Sequence, residues 1–103
     1  YKDVIIRGGD NVYPDQVEDV IHEIHGVLEV AVVGVLDDFW GEVPRAFIVK
    51  DSETILTEES ITQYCKQKLA SYKIPEVVFI DELPKNALGK VLKRELRDVV
   101  LVK

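Results

Sequence analysis

The residue best placed for chemistry is Lys90, which follows Gly89 in Pro84-Lys85-Asn86-Ala87-Leu88-Gly89-Lys90 and leads into Val91-Leu92-Lys93-Arg94. A lysine on a glycine-bounded loop can set a compact point charge against a carboxylate or a phosphate. Such a charge suits a reaction that joins two anions, because it neutralises charge as it develops in the transition state. Without its neighbours, an exposed lysine is an ordinary surface residue. The segment around it is basic: Lys85, Lys90, Lys93, Arg94, Arg97 and Lys103 face only Glu95 and Asp98, in a chain of net charge −6. A small anionic ligand fits that tail, and so does a solvated helix face. The acidic whole disfavours non-specific binding of nucleic acid, which rewards a basic surface.

Other patterns are less specific. Gly8-Gly9 permits positive φ and leaves room for another chain or ligand against the backbone, or simply makes a hairpin turn. Trp40, in Phe39-Trp40-Gly41-Glu42, and Tyr72, in Ala70-Ser71-Tyr72-Lys73-Ile74-Pro75, are aromatics in loops. An exposed aromatic can stack on a base, and a tryptophan can equally pack the edge of a core. His22 and His25 share the first helix, but no further histidine and only one cysteine exist to complete a metal site. Cys65, alone, excludes an internal disulfide and reads as a small core residue. Glu18 reads as a carboxylate at a helix N-terminus or bracing a loop. Neither a Ser/His/Asp arrangement nor a phosphate loop of Walker type is visible.

The elements that position these residues follow from periodicity. Asp3-Val4-Ile5-Ile6-Arg7, the turn Gly8-Gly9-Asp10-Asn11 and Val12-Tyr13 predict a hairpin. Pro14 suits a first helical position, and Val17, Val20, Ile21 and Ile24 keep helical spacing up to Gly26. Leu28 to Val35 and Arg45 to Lys50 read as central strands, with Pro44 confined to the entry of the second. Thr57 caps a helix through Leu69. Val77 to Ile80 predicts a third strand, residues 81–89 a loop, and Val91 to Val100 a helix burying Leu92, Leu96 and Val99. The order β-β-α-β-β-α-β-α predicts an α+β fold: a small β-hairpin, then a three-stranded sheet packed with about three helices. At 103 residues, 47% hydrophobic, the chain is one domain in size. No apolar run approaches the roughly 20 residues of a membrane span. The chain opens on Tyr1 and contains no methionine, so it is expected to be a piece of a longer protein.

In combination, the segment from Pro84 to Arg94 and the segment Arg7-Gly8-Gly9-Asp10-Asn11-Val12-Tyr13-Pro14 with Val17-Glu18 resemble the motifs of the C-terminal domain of adenylate-forming enzymes. That superfamily comprises acyl-CoA synthetases, nonribosomal peptide adenylation domains and luciferases. The resemblance spans essentially the whole chain. It implies that residues 1–103 are a mobile domain whose larger N-terminal domain lies outside this sequence. It implies an AMP-forming acyl-CoA ligase that makes an acyl-adenylate and then a thioester by domain alternation. The Gly-Gly-Asp-Asn-Val-Tyr-Pro form is closer to fatty-acyl and aryl-acid ligases than to peptide adenylation domains. By the same resemblance, Lys90 is the catalytic lysine of adenylation and Lys2 the hinge. Gly9 walls the pantetheine tunnel, and Gly8 lets the strand bend. Trp40 and Tyr72 lie near the adenine end of CoA, and Lys73 meets its phosphates. Arg7 is either a CoA phosphate contact or a strand charge. ATP, CoA and Mg2+ serve the whole enzyme and none is held tightly here, so the isolated domain is expected to be nearly inactive. The implied partners are the missing N-terminal domain and a small carboxylic acid, with no nucleic acid and no transmembrane segment, in the cytoplasm. Two other readings stay open: a non-catalytic nucleotide-binding or regulatory module, and a peptide-synthetase fragment whose thiol belongs to a carrier protein.

Overall fold

The near-continuous apolar run after Gly26 forms the longest strand because its alternate residues are buried on opposite faces of one sheet. The computed structural model describes residues 3–99; the proposed hinge residue Lys2 and the end of the expected last helix at Val100 lie outside them. In chain order the elements are β1 (Ile5–Arg7), β2 (Asp10–Val12), α1 (Pro14–His22), β3 (Val27–Asp37), β4 (Gly41–Lys50), α2 (Glu58–Lys68), a short 3₁₀ turn (Ser71–Lys73), β5 (Glu76–Phe79) and α3 (Lys93–Arg97). The α+β fold read from the sequence is the one observed, and the hairpin and the three later strands join into a five-stranded sheet.

β4 is the hub. It pairs antiparallel with β3 along nearly its whole length, parallel with β5 from Arg45 to Ile48, and with β1 through Arg7 opposite Gly41. Val32, Ala46 and Ile48 bury against one face with Val17 and Ile21 of α1 and Ile61 and Cys65 of α2. Ala31, Val33 and Phe47 bury on the other with Leu83 and with Leu96 of α3. One strand therefore feeds two apolar layers, which is why its sequence shows no polar alternation.

Three expectations need correction. β3 is an edge strand, since among the described residues only β4 pairs with it. A continuous apolar run reports burial of both faces and says nothing of partners at both edges. Pro44 stands inside β4, buried and opposite Gly34. β5 begins to pair only at Arg45, so at Pro44 one flank has no ladder asking for an N–H. The last helix is confined to Lys93–Arg97, because Val91 is drawn into an antiparallel bridge with Lys85. Leu96 is buried as expected, whereas Val99 is 38% exposed.

α2 matches its signal closely, whereas α1 ends at His22, short of Ile24 and Gly26, so His25 lies beyond the helix that was expected to carry it with His22. Pro14 opens α1 at a position where its missing N–H costs nothing. Thr57 caps α2 through a reciprocal box: its Oγ1 accepts from the Ser60 N–H at 3.0 Å and Ser60 Oγ accepts from the Thr57 N–H at 3.1 Å.

Candidate functional site

Lys90 stands at the end of a tight loop organised around Asn86. The Asn86 Oδ1 accepts from the N–H groups of Leu88 (2.9 Å) and Lys90 (3.0 Å), and the Asn86 N–H donates to the Lys90 carbonyl at 2.9 Å. Gly89, at φ +84°, supplies the left-handed residue that lets the chain reverse. The Leu92 N–H donates to the Pro84 carbonyl at 2.8 Å, and the Lys85–Val91 bridge closes the neck of the loop. The asparagine in the Pro-Lys-Asn-Ala-Leu-Gly-Lys string is thus the internal brace that holds the lysine where the turn rejoins the body of the hairpin.

The Lys90 side chain is exposed and lines an open cleft of about 790 Å³ with Asp3, Asn86, Lys93, Arg94 and Arg97 among others. Asp3 adjoins the expected hinge, and its Oδ2 lies 3.8 Å from Arg97 Nη2 across the cleft. Among the described residues Lys90 has no ion-pair partner, while Lys85, Lys93 and Arg97 do. Lys85 Nζ is 2.6 Å from Glu29 Oε1, and Lys93 Nζ is 2.8 Å from Glu18 Oε2. The loop keeps its flanking cations engaged with the body of the domain and leaves the charge of Lys90 available to a ligand.

Gly8 and Gly9 form the turn between β1 and β2 and differ sharply from each other. Gly8 has φ +62°, donates its N–H to the Trp40 carbonyl at 2.7 Å, and would place a Cβ 3.1 Å from Trp40 Cε3. Gly9 has no positive φ, and among the described residues nothing lies within 4 Å of an added Cβ. Gly8 is required by this fold, and Gly9 is free to be required by something else.

Trp40 ends the turn between β3 and β4, where Asp37 Oδ2 accepts from the N–H groups of Phe39 and Trp40 at 3.0 and 2.8 Å. Its ring is packed edge-on by Phe39, with centroids 4.7 Å apart, and the Arg7 guanidinium lies 3.9 Å over its centroid. The ring remains 37% exposed, so it packs at a surface and is not core. Arg7 therefore already has a partner in Trp40. Tyr72 and Lys73 occupy the 3₁₀ turn, where Lys73 Nζ lies 5.6 Å from the Tyr72 ring centroid and donates to Gln16 Oε1 of α1 at 2.9 Å. No hydrogen bond or ion pair among the described residues joins Trp40 to Tyr72 or Lys73.

Two carboxylates that showed no partner in the sequence have structural tasks. Glu42 Oε1 accepts from the Ile6 N–H at 3.0 Å and ties β1 to β4. Glu18 Oε2 accepts from the Val32 N–H at 2.8 Å and also meets Lys93, so it braces strand β3 and helix α3 and not a loop. The sequence marked Glu18 by its motif and its place near a helix N-terminus and gave no sign of Val32 or Lys93 as partners; Glu29 carried no signal. His22 and His25 are both exposed, and no group of His, Cys, Asp and Glu that could hold a metal gathers among the described residues. Burial pushes the Cys65 thiol up to about 11, which suits an inert core residue.

The family profile of the AMP-binding enzyme C-terminal domain matches residues 16–90. The chain belongs to this family. As an AMP-binding enzyme C-terminal domain it is 62% identical over 98 residues to YdaB of Bacillus subtilis strain 168, which carries the name acyl–CoA ligase; the match covers 95% of this chain and 20% of that protein. A fatty acyl CoA synthetase of Mycobacterium tuberculosis superposes with a TM-score of 0.87 at 46% identity, over 93% of this chain and 19% of that one. The o-succinylbenzoate CoA synthetase of Bacillus subtilis, in complex with its acyl-adenylate intermediate, superposes with a TM-score of 0.85 at 41% identity, over 95% of this chain and 20% of that one. The chain thus spans about a fifth of the relatives it matches. No helix among the described residues is long and apolar enough to cross a membrane.

Proposed function

We propose that this domain is the catalytic C-terminal part of an ATP-dependent, AMP-forming acyl-CoA ligase, and that a larger N-terminal domain of the same protein carries the ATP and acid sites. The observation that carries the reading is the presentation of Lys90: a braced, exposed lysine without an ion pair among the described residues, at the end of a loop whose flanking lysines are both paired.

In the first half-reaction a carboxylate oxygen attacks the α-phosphorus of ATP, forming the acyl-adenylate as pyrophosphate leaves. Both reactants are anionic. Lys90 sets its ammonium beside them and offsets the charge that builds on the transferring group. Mg2+ enters with ATP. In the second half-reaction a thiol sulfur attacks the acyl carbonyl, the thiol proton is lost and AMP leaves. Rotation about Lys2 withdraws Lys90 and brings the Gly8-Gly9 turn to the site, so that one pocket serves two reactions with different electrostatic needs. Gly9 has open space where a side chain would otherwise stand, which suits a wall along a narrow pantetheine tunnel. Trp40 offers its exposed face to a base, and Tyr72 and Lys73 form a second contact for the nucleotide end of CoA. The acid is a fatty or aryl carboxylic acid, the classes named among the relatives.

The test separates the half-reactions in the full-length enzyme. Lys90→Ala should abolish carboxylate-dependent ATP–pyrophosphate exchange while thioester formation from supplied acyl-adenylate continues. Gly9→Leu should do the reverse. Equal loss of both steps in either variant would sink the two-orientation reading.

A further inference from the structure

The Lys90 loop has internal hydrogen bonds that fix its shape, but its shape does not fix its direction. Its apolar anchors are remote: Leu83 and Leu96 are the nearest buried residues on either side, seven residues before Lys90 and six after it. Residues 85–90 are all exposed. What lies closer is polar. Lys93, three residues past Lys90, places Nζ 2.8 Å from Glu18 Oε2, with both side chains about three-quarters buried (25% and 22% exposed). The same oxygen accepts the Val32 N–H at 2.8 Å. Because β3 is an edge strand among the described residues, this N–H has no strand partner to receive it, and Glu18 takes that place.

We infer that Glu18 and Lys93 are positioning residues that aim the Lys90 loop for adenylation, by locking its C-terminal leg to the free edge of β3. The N-terminal leg is held to the same strand by Lys85 and Glu29, so the loop straddles β3 on two ionic feet. The two feet are unequal. Lys85 and Glu29 are more exposed, at 39% and 37%, so solvent screens them and they contribute less direction. The Glu18–Lys93 contact is charge-assisted, about three-quarters buried and locked by a third partner, and such a contact fixes geometry. It also joins the two sequence segments that carry the family motifs, since Glu18 closes the first and Lys93 lies in the second. The turn containing Gly9 and the loop containing Lys90 thereby move as one body.

This inference rests on the assignment of Lys90 to adenylation. The test uses the full-length enzyme and measures ATP–pyrophosphate exchange, thioester formation from supplied acyl-adenylate, and Tm. Misdirecting a reacting group by about 1 Å costs up to about 100-fold. Lys93→Met and Glu18→Gln should therefore each lower kcat for exchange by about 10- to 100-fold, with the KM for ATP and the thioester step little changed. Lys93→Arg, which keeps a donor, should restore most of the exchange. In a Lys90→Ala background Lys93→Met should cause no further loss. Full exchange in Lys93→Met, alongside collapse in Lys90→Ala, would overturn the positioning role and leave the function intact. Full exchange in Lys90→Ala would instead remove the functional reading beneath it. Parallel loss of both half-reactions with falling Tm, unrelieved in Lys93→Arg, would reduce the pair to a structural contact and overturn the inference too.

Discussion

Alanine at Gly8 and alanine at Gly9 should have opposite consequences, although the two residues are adjacent. At Gly8 the backbone has φ +62° and a Cβ would meet Trp40 Cε3 at 3.1 Å. An L-residue in the left-handed region costs about 1–2 kcal/mol. Trp40 cannot simply give way, since its carbonyl holds the Gly8 N–H and the Arg7 guanidinium lies over its ring. With roughly 4–8 °C of Tm per kcal/mol in a domain of this size, Gly8→Ala should lower Tm by roughly 4–16 °C. At Gly9 an added Cβ meets nothing within 4 Å and φ is not positive. Gly9→Ala should therefore leave Tm unchanged, or raise it through the less flexible unfolded chain by about 0.4–1 kcal/mol. Calorimetric or urea unfolding of the 103-residue chain measures both. Equal destabilisation by the two variants would refute the division of labour in this turn, and with it the idea that Gly9 is reserved for something outside the domain.

Trp40→Ala should raise the KM for CoA in the full-length enzyme while leaving pyrophosphate exchange unchanged, which steady-state kinetics at varied CoA will show. Gly34→Ala should cost about 1–3 kcal/mol, since its Cβ would press on Ile5 and Glu42 at 3.1–3.2 Å where β1 docks on the sheet; urea unfolding measures it. Cys65, held neutral by burial with its pKa raised from 9.0 to about 11, loses protons first in the unfolded chain. The unfolded state then binds fewer protons than the native one, so stability should fall as pH rises from about 9 towards 11, a slope that Cys65→Ala removes. A thiol reagent at pH 8 should label it only on unfolding.

Much of the fold was legible because its signals are local. Pro14 with Val17 and Ile21 declared α1, Thr57 declared the start of α2, and Gly8-Gly9 declared the hairpin turn. The errors came where partners distant in sequence decide the outcome. The apolar run of β3 could not reveal that one edge lacks a strand, nor could Val91 reveal that pairing with Lys85 would delay the last helix to Lys93. The motif marked Lys90 as a lysine on a glycine-bounded loop, and the side chain is exposed there; the Asn86 brace carried no sequence signal. The pairing of Glu18 with Lys93 was not legible, because the two residues belong to separate segments that only the folded β3 edge brings together. The hydrogen bond from Lys73 to Gln16 on α1 was likewise not legible, because it joins residues far apart in the chain.

The most direct measurement is carboxylate-dependent ATP–pyrophosphate exchange by the full-length enzyme, with a panel of fatty and aryl acids, comparing wild type with Lys90→Ala. Exchange that requires one acid class and falls by about 100-fold or more in the variant is the expected result, in line with removal of one preorganised charge from a transition state. Undiminished exchange in Lys90→Ala would contradict the account at its centre.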